Sequence, residues 1–449
     1  MAAATGTAGV SRGLFAGVPV MRRALRGLLL AAILAPLVVL LLAVERRPLV
    51  RDAGPPDARS AAQTRDVIDR LRLMVNAAGA VAGFSADEEE INGVLAAAQR
   101  VAPGVAGEAR VEAGGVRLAV SVGAPLMPEG YWLNLAGELA PSEGGIAIAS
   151  ARVGRLPVPP ALVLWAARLG LDHALGDGLG STLLAGVGRI EVAPPRVSLT
   201  LAGDPAARAA FFDRLKARAI DGTGDRVRLA VDEEIRQLRK AARRGELPRD
   251  GSVLPHLEAA VRIAAGAEGA GPEEMRGALY ALALACGTPA FGEVIGIQPG
   301  WQALDAVGCG GTTLAGRDDL KRHFVISAGL YAATTSGRFA FGVGELKELL
   351  DSAEREGFSF EDMAADAAGI RFAAAFLAAP VSAWPDMLAA IESEADVIPS
   401  LDGLAEGLDA AAFTARYGGI GSPEYAAVVA EIERRVAALP LYAAPPATN

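Results

Sequence analysis

A continuous apolar run at residues 27–44 constrains this chain more than any other feature of its sequence. The run has the length and composition of a transmembrane helix. Three arginines, Arg22, Arg23 and Arg26, precede it and place the N-terminus in the cytoplasm by the positive-inside rule. The sequence therefore predicts a disordered cytoplasmic segment at 1–26 and a single-pass transmembrane helix at 27–44. The bulk of the chain is then expected in the periplasm, held at a bacterial inner membrane.

A cleaved signal peptide is the competing interpretation of this run. Glu45, Arg46 and Arg47 follow it directly, where a cleavage site would require small residues. No cysteine lies directly after the run, which argues against a lipid-modified N-terminus. The sequence favours an uncleaved anchor.

The composition excludes several classes of function. A net charge of -9 argues against a nucleic-acid partner, and an aromatic content of 5% offers few stacking platforms for bases. The Gly-rich segments 176–180 and 266–271 lack the strand, turn and helix context of a nucleotide site, so we expect no cofactor there. The two cysteines, Cys286 and Cys309, lie in the part predicted to be periplasmic, where we expect them to form a disulfide.

The patterning predicts an α+β fold in two domains beyond the anchor. Residues 51–203 alternate in a way typical of an antiparallel sheet with covering helices. Helices are expected at 61–80, at 161–175, and from a capping box at Ser85–Glu88 to about residue 101. Three strand pairs, forming one sheet of about six strands, are expected at 109–122, 131–153 and 190–201.

Residues 204–442 predict an all-helical C-terminal domain. Apolar residues recur there with helical spacing, and short Gly or Pro turns separate the segments. The expected helices are 205–219, 226–244, 253–266, 272–286, 318–334, 342–355, 360–377, 383–393, 402–409 and 423–438.

One segment of this domain, residues 316–369, combines many ionisable side chains with apolar helical sequence. Polar residues three or four positions apart share one face of a helix. Each of three successive predicted helices carries such a polar stripe, and we expect the stripes to converge. The candidate site residues are Asp319, His323, Lys347, Glu348, Asp351, Asp362 and Asp366.

Two interpretations of this cluster remain open. The candidate metal ligands are His323, Glu348, Asp362 and Asp366. A histidine with carboxylates suits iron, manganese or zinc, and a bound metal could activate water. The alternative is a buried or half-buried network of ions, in which Lys347 and Arg317 neutralise the acids and fix the helices relative to one another.

The same segment resembles the YfiM-like predicted periplasmic lipoproteins and, more distantly, the VanZ-like membrane proteins. The resemblance lies in a D-K-x-x-H-F element, then G-x-x-K-E-x-x-D, then D-x-x-x-D-x-x-G. The matching residues are Asp319, His323, Phe324, Gly344, Lys347, Glu348, Asp351, Asp362, Asp366 and Gly369. Leu320 stands where the family has lysine, and Lys321, one place later, is expected to point elsewhere. The resemblance implies a location in the cell envelope.

The sheet region is similar to the YpmS-like extracytoplasmic domains of anchored bacterial proteins. The similarity lies in 85–92, 131–134 and 152–159. It implies a curved sheet with a covering helix, as in lipid-binding envelope domains.

Together these observations predict a membrane-anchored bacterial envelope protein that binds a lipid or a protein partner. A metal-assisted envelope hydrolase centred on His323 is the alternative function, and a structural scaffold is the third.

Overall fold

A computed structural model describes residues 42–50, 56–76, 83–101, 104–123, 128, 130–176, 178–211, 214, 224–297, 299–353 and 357–443. The predicted cytoplasmic segment at 1–26 and most of the predicted transmembrane helix lie outside these residues. Of 27–44, only the last three residues are described, and Val44 belongs to a short strand rather than a helix. Within the described ranges, no helix is both long and apolar enough to cross a membrane.

Nine strands form two antiparallel sheets in the N-terminal part of the chain. They are β1 (Val44–Glu45), β2 (Gly83–Asp87), β3 (Val105–Glu112), β4 (Gly115–Gly123), β5 (Trp132–Ala140), β6 (Ala147–Val153), β7 (Leu156–Pro157), β8 (Val187–Ala193) and β9 (Arg196–Leu201). The larger sheet has the order β3-β4-β5-β6-β7, with β1 paired to the start of β5. The three predicted strand pairs are confirmed, two across glycine-rich turns and the third across Pro194-Pro195.

The third pair does not join the larger sheet, and the prediction of a single sheet is wrong. Strand β2 pairs with β9 and completes a separate sheet, β2-β9-β8, which a single bridge between Ser142 and Ile190 connects to the larger one. Ser85, predicted to begin a helix, instead lies in β2. The capping box is formed by Asp87 and Glu90, whose side chains each accept a hydrogen bond from the other's backbone N–H.

The helices beside these sheets among the described residues include α1 (Ala58–Asn76), α2 (Glu88–Val101), α3 (Pro160–Leu175) and α4 (Leu179–Ala185). Residues 205–211 are also helical, within the helix predicted at 205–219. Helix α2 packs on α1 and on β3. Its Asn92 side chain fixes this arrangement, since it accepts from the backbone N–H of Ala109 at 2.8 Å and donates to the carbonyl of Ala109 at 2.9 Å.

The C-terminal part is mainly helical, as predicted. Its helices are α5 (Asp225–Arg243), α6 (Leu254–Ala265), α7 (Pro272–Leu282), α8 (Phe291–Ile295), α9 (Trp301–Asp305), α10 (Asp318–Thr334), α11 (Gly337–Ala353), α12 (Phe360–Ala378), α13 (Trp384–Ala389), α14 (Ala410–Tyr417), α15 (Pro423–Ala437) and α16 (Pro440–Ala443). Helix α12 is apolar on nearly all sides and lies in the core, where Phe372 and Phe376 are fully buried.

Two details of the C-terminal prediction are wrong. The region is not purely helical, because β10 (Asp250–Ser252) and β11 (Gly311–Thr313) form a short parallel pair. The helix expected at 402–409 is absent from that described stretch, since Gly403 and Gly407 both adopt positive φ and interrupt a helix. Helix α14 begins only after Asp409, whose side chain accepts from the N–H of Ala412.

The predicted disulfide between Cys286 and Cys309 is confirmed. It connects the turn after α7 to the loop that leads into β11 and α10. The loop that it closes carries α8 and α9, so the disulfide anchors both short helices to the core.

A buried ion pair connects the two parts of the chain. Glu345 on α11 is almost completely buried and accepts from the guanidinium of Arg100 on α2 at 2.6 Å. The Tyr425 hydroxyl on α15 also donates to Glu345. Helix α11 is therefore bound to α2 beside the sheet through Arg100, and to α15 through Tyr425.

Candidate functional site

Helices α10, α11 and α12 enclose a cleft of about 480 Å³. His323 and Ser327 reach it from α10, Lys347 from α11, and Asp362 and Asp366 from α12. Because residues four positions apart lie on one face of a helix, each helix presents its polar stripe to the same space. The structure brings His323, Lys347, Glu348, Asp362 and Asp366 together, whereas the predicted Asp319 and Asp351 lie at the edge.

Asp366 contacts Nδ1 of His323 and so fixes the orientation of the imidazole. Its Oδ1 lies 3.0 Å from Nδ1 of His323 and accepts from Ser327 Oγ at 2.6 Å. Its Oδ2 is buried and has no hydrogen-bond partner among the described residues. Gly344 makes this position possible, because a Cβ at Gly344 would lie only 2.3 Å from Oδ2.

The other ring nitrogen of His323 faces two carboxylates without a close hydrogen bond. Nε2 lies 3.4 Å from Oδ2 of Asp362 and 3.7 Å from Oε1 of Glu348. Ordinary hydrogen bonds between nitrogen and oxygen are about 2.9 Å long. The three atoms, Nε2 of His323, Oδ2 of Asp362 and Oε1 of Glu348, therefore surround a gap.

Glu348 is fully buried and is held from two sides. The backbone N–H of Ser359 donates to its Oε2 at 2.9 Å, and the Lys347 ammonium lies 3.2 Å from its Oε1. Ser359 also caps α12 by accepting from the N–H of Asp362, as its sequence spacing predicts. The cap fixes both the start of α12 and the direction of Asp362.

Burial and neighbouring opposite charges have opposing effects on the pKa of each of these groups. Burial alone lowers the pKa of His323, but the charges of Asp366 and Asp362 outweigh it and raise that pKa to about 9. Burial raises the pKa of Glu348 to about 7, although Lys347 opposes the shift. Burial also raises the pKa of Asp362. Burial disfavours the charged forms of Glu348 and Asp362. A cation in the gap would stabilise these charged forms, because opposite charges attract.

The three atoms that surround the gap fit a divalent metal ion. His323, Glu348 and Asp362 each offer one ligand atom, and these atoms lie within 4.8 Å of one another. A tetrahedral ion with bonds of about 2.1 Å holds its ligands roughly 3.4 Å apart. The separations of 3.4 and 3.7 Å from Nε2 match this spacing. The contact between Nδ1 and Asp366 is the support that a metal-bound histidine usually receives.

Two of the predicted candidates lie at the edge of the cleft. Asp319 is paired with Arg317, which lowers its pKa, and does not contact His323. Asp351 is paired with Lys347. The Lys347 side chain itself is 47% exposed, so it is a half-exposed cation at the cleft rather than a buried member of a network.

Arg317 provides further positive charge beside the cleft. Its guanidinium contacts Glu361 and Glu406 and lies 3.5 Å from Asp362. It therefore draws one oxygen of Asp362 away from the gap, and the other oxygen is left facing His323.

The prediction that Lys321 points elsewhere is consistent with the structure. The side chain is buried outside the cleft, where it pairs with Asp318 at 2.7 Å and donates to the carbonyl of Cys309. The other histidines are also not part of the cleft: His173 is exposed on α3, and His256 is buried in α6.

Three contributors to the site are missing from the candidates that the sequence predicts: Ser327, Gly344 and Glu345. Ser327 orients Asp366, and its position one helical turn after His323 is the sequence signal that indicates it. The roles of Gly344 and Glu345 depend on close contacts between helices, for which the sequence carries no local signal.

No protein-family model, curated protein or solved structure matches this chain. The resemblances to YfiM-like, VanZ-like and YpmS-like proteins therefore stay predictions.

Proposed function

We propose that this chain is a membrane-anchored protein of the bacterial cell envelope that binds a divalent metal ion and uses it for hydrolysis. One observation carries the proposal: Nε2 of His323 faces Glu348 and Asp362 at the spacing of metal ligands, while Asp366 holds the opposite ring nitrogen. The donor set of one imidazole and two carboxylates suits zinc, manganese or iron.

The cleft residues have separate tasks in this proposal. His323, Glu348 and Asp362 would hold the ion, and three protein ligands would leave a position open for water. The ion, when bound, would lower the pKa of that water and polarise an oxygen of the substrate. Hydrolysis would join the water oxygen to the electrophilic carbon or phosphorus and break the bond to the leaving group, which would take up a proton of the water. Lys347 places a positive charge near the open side of the cleft, where it can attract an anionic substrate.

A titration of the purified full chain in detergent tests the proposal. We expect the chelator-treated protein to bind about one Zn²⁺ or Mn²⁺ ion and His323→Ala to lose this binding. His173→Ala is the matched control, because that histidine is exposed and lies outside the cleft. We expect turnover of p-nitrophenyl acetate or bis(p-nitrophenyl) phosphate to require the ion.

Two results would contradict this function. If neither ion binds and His323→Ala melts well below the unsubstituted chain, the cluster is an ion network. If the ion binds but neither probe is hydrolysed at any ion concentration, the hydrolytic part of the proposal is wrong.

Binding of a partner at the larger sheet is a second candidate function. A groove of about 630 Å³ runs over this sheet, and its lining includes Arg110, Arg117, Arg152, Glu108 and Glu138. Its lining also includes the apolar residues Leu49, Leu118 and Pro157. The groove therefore suits a partner that carries both apolar and charged groups.

A further inference from the structure

Helix α3 carries an apolar stripe that no described residue covers. Leu162, Trp165 and Leu169 lie three and four positions apart, so they share one face. Their exposed fractions are 50%, 59% and 58%. Leaving such side chains in water is unfavourable by about 25 cal/mol per Å² of apolar surface. An exposed stripe of this kind marks a surface that contacts an apolar phase or a partner.

The C-terminal end of α3 is well anchored in the fold. Asp172 near its C-terminal end accepts from the backbone N–H of Ser181 at 2.7 Å and from its hydroxyl at 2.6 Å. A Cβ at Gly180 would lie 2.4 Å from Leu171, so α4 approaches α3 at backbone distance. The stripe is therefore a fixed feature of the surface and not a helix that has lost its packing.

The position of α3 relative to the apolar run identifies the phase that the stripe contacts. The first described residues of that run, Leu42 and Ala43, lie against the turn that precedes α3. The N–H of Arg155 donates to the carbonyl of Leu42 at 2.9 Å, and a Cβ at Gly154 would lie 2.5 Å from the carbonyls of both residues. Helix α3 begins at Pro160, and five residues span at most about 18 Å.

Exposed arginines surround the same place. Arg46 and Arg47 follow the apolar run, Arg155 lies in the turn, and Arg168 lies on α3 itself, all exposed to solvent. Juxtamembrane arginines are attracted to anionic lipid headgroups near the membrane surface. Tryptophan is enriched at the boundary between lipid and water.

We infer that α3 is a second membrane contact, which lies in the plane of the bilayer surface with Leu162, Trp165 and Leu169 inserted among the lipids. This inference rests on the membrane-anchor part of the proposed function. The anchor brings the turn at Gly154 to the membrane surface, and the short connection then brings α3 to the same surface. The anchor and α3 together then fix the orientation of the fold at the membrane, which the anchor alone would not do.

Tryptophan quenching tests this inference with the full chain. The protein is reconstituted into vesicles of phosphatidylethanolamine and phosphatidylglycerol that carry brominated acyl chains, which quench only tryptophans in contact with lipid. We expect the vesicles to quench the fluorescence and Trp165→Phe to lose most of that quenching. Trp301→Phe is the matched control, because Trp301 is 66% exposed on α9, far along the chain from the anchor. It should keep the quenching.

Each contrary result has one meaning. If the chain does not float with the vesicles, the anchor is wrong and the inference falls with it. If the chain floats but Trp165→Phe is quenched like the unsubstituted chain, only the inference about α3 is wrong. The same holds if aqueous iodide quenches Trp165 while brominated lipid does not. Cross-linking between α3 helices of two copies would assign the stripe to self-association and would also overturn the inference. Metal binding in the cleft is independent of all these outcomes.

Discussion

Replacing Asp366 by asparagine removes a charge from behind His323 and keeps the shape of the side chain. The carboxylate is 2% exposed and contacts both Nδ1 of His323 and the hydroxyl of Ser327. Asparagine retains an oxygen that can accept both hydrogen bonds. The expected change is therefore electrostatic and not steric.

The expected effect is a loss of metal affinity. The carboxylate that supports a metal-bound histidine typically contributes roughly 10- to 100-fold to affinity. This range corresponds to about 1.4–2.7 kcal/mol. Because Asp366 is buried, water and salt screen its charge only weakly, and we expect the loss to persist at high ionic strength.

Calorimetric titration of the full chain with Zn²⁺ measures this loss. Asp351→Asn is the matched control, because Asp351 is also a carboxylate of the cluster but pairs with Lys347 and does not contact His323. We expect Asp366→Asn to weaken binding far more than Asp351→Asn does. Equal effects of the two substitutions, or an unchanged affinity in Asp366→Asn, would refute the assignment of Asp366 as the support of a metal ligand.

Three further predictions concern the stability of the chain. Gly344→Ala places a Cβ 2.3 Å from a buried carboxylate oxygen and should destabilise the fold by roughly 1–3 kcal/mol. Gly170→Ala is the control, because its Cβ meets no atom within 4 Å and should stabilise the helix by up to about 1 kcal/mol. Chemical denaturation measures both effects. Reduction of the Cys286–Cys309 disulfide should cost about 3 kcal/mol in the same assay, and two free thiols in the unreduced, denatured protein would contradict the pairing. In the metal-free chain the folded-state pKa of His323 is raised to about 9, above its unfolded value of about 6.5. Its contribution to stability is therefore fully present below about pH 6.5 and lost as the pH rises through about 9, and denaturation of His323→Asn should lack this decline.

The convergence of the site could be predicted because it depends on local geometry. His323 and Ser327 are one helical turn apart, and so are Asp362 and Asp366. Helical periodicity alone places each pair on one face, and the apolar residues between them direct those faces inward. The cap at Ser359 also follows from the sequence, because Asp362 lies three residues later and its N–H donates to the Ser359 hydroxyl.

The contacts between distant segments could not be predicted in this way. Arg100 and Glu345 are 245 positions apart in the chain, and each alone resembles an ordinary surface charge in its helix. The role of Gly344 arises only where α11 and α12 touch, because a missing Cβ leaves no pattern in the sequence. These contacts depend on how the helices pack together, and the patterning of one helix does not encode this information.

Errors in the strands and helices had local causes. The sequence predicts Ser85 as a helix cap because serine often caps helices. In the structure its backbone lies in the ladder between β2 and β9 instead. The segment 402–409 has helical apolar spacing, yet two of its residues are glycines with positive φ. Tertiary pairing and glycine conformation outweighed periodicity in these two places.

Anomalous diffraction from crystals soaked in Zn²⁺ or Mn²⁺ tests the central claim most directly. The structure predicts one strong peak in the cleft, about 2.0–2.2 Å from Nε2 of His323 and from carboxylate oxygens of Glu348 and Asp362. The peak should vanish in His323→Ala crystals that are otherwise unchanged. A cleft without a peak, in which Nε2 of His323 forms a direct hydrogen bond to one of the two carboxylates, would contradict the metal site and identify the cluster as an ion network.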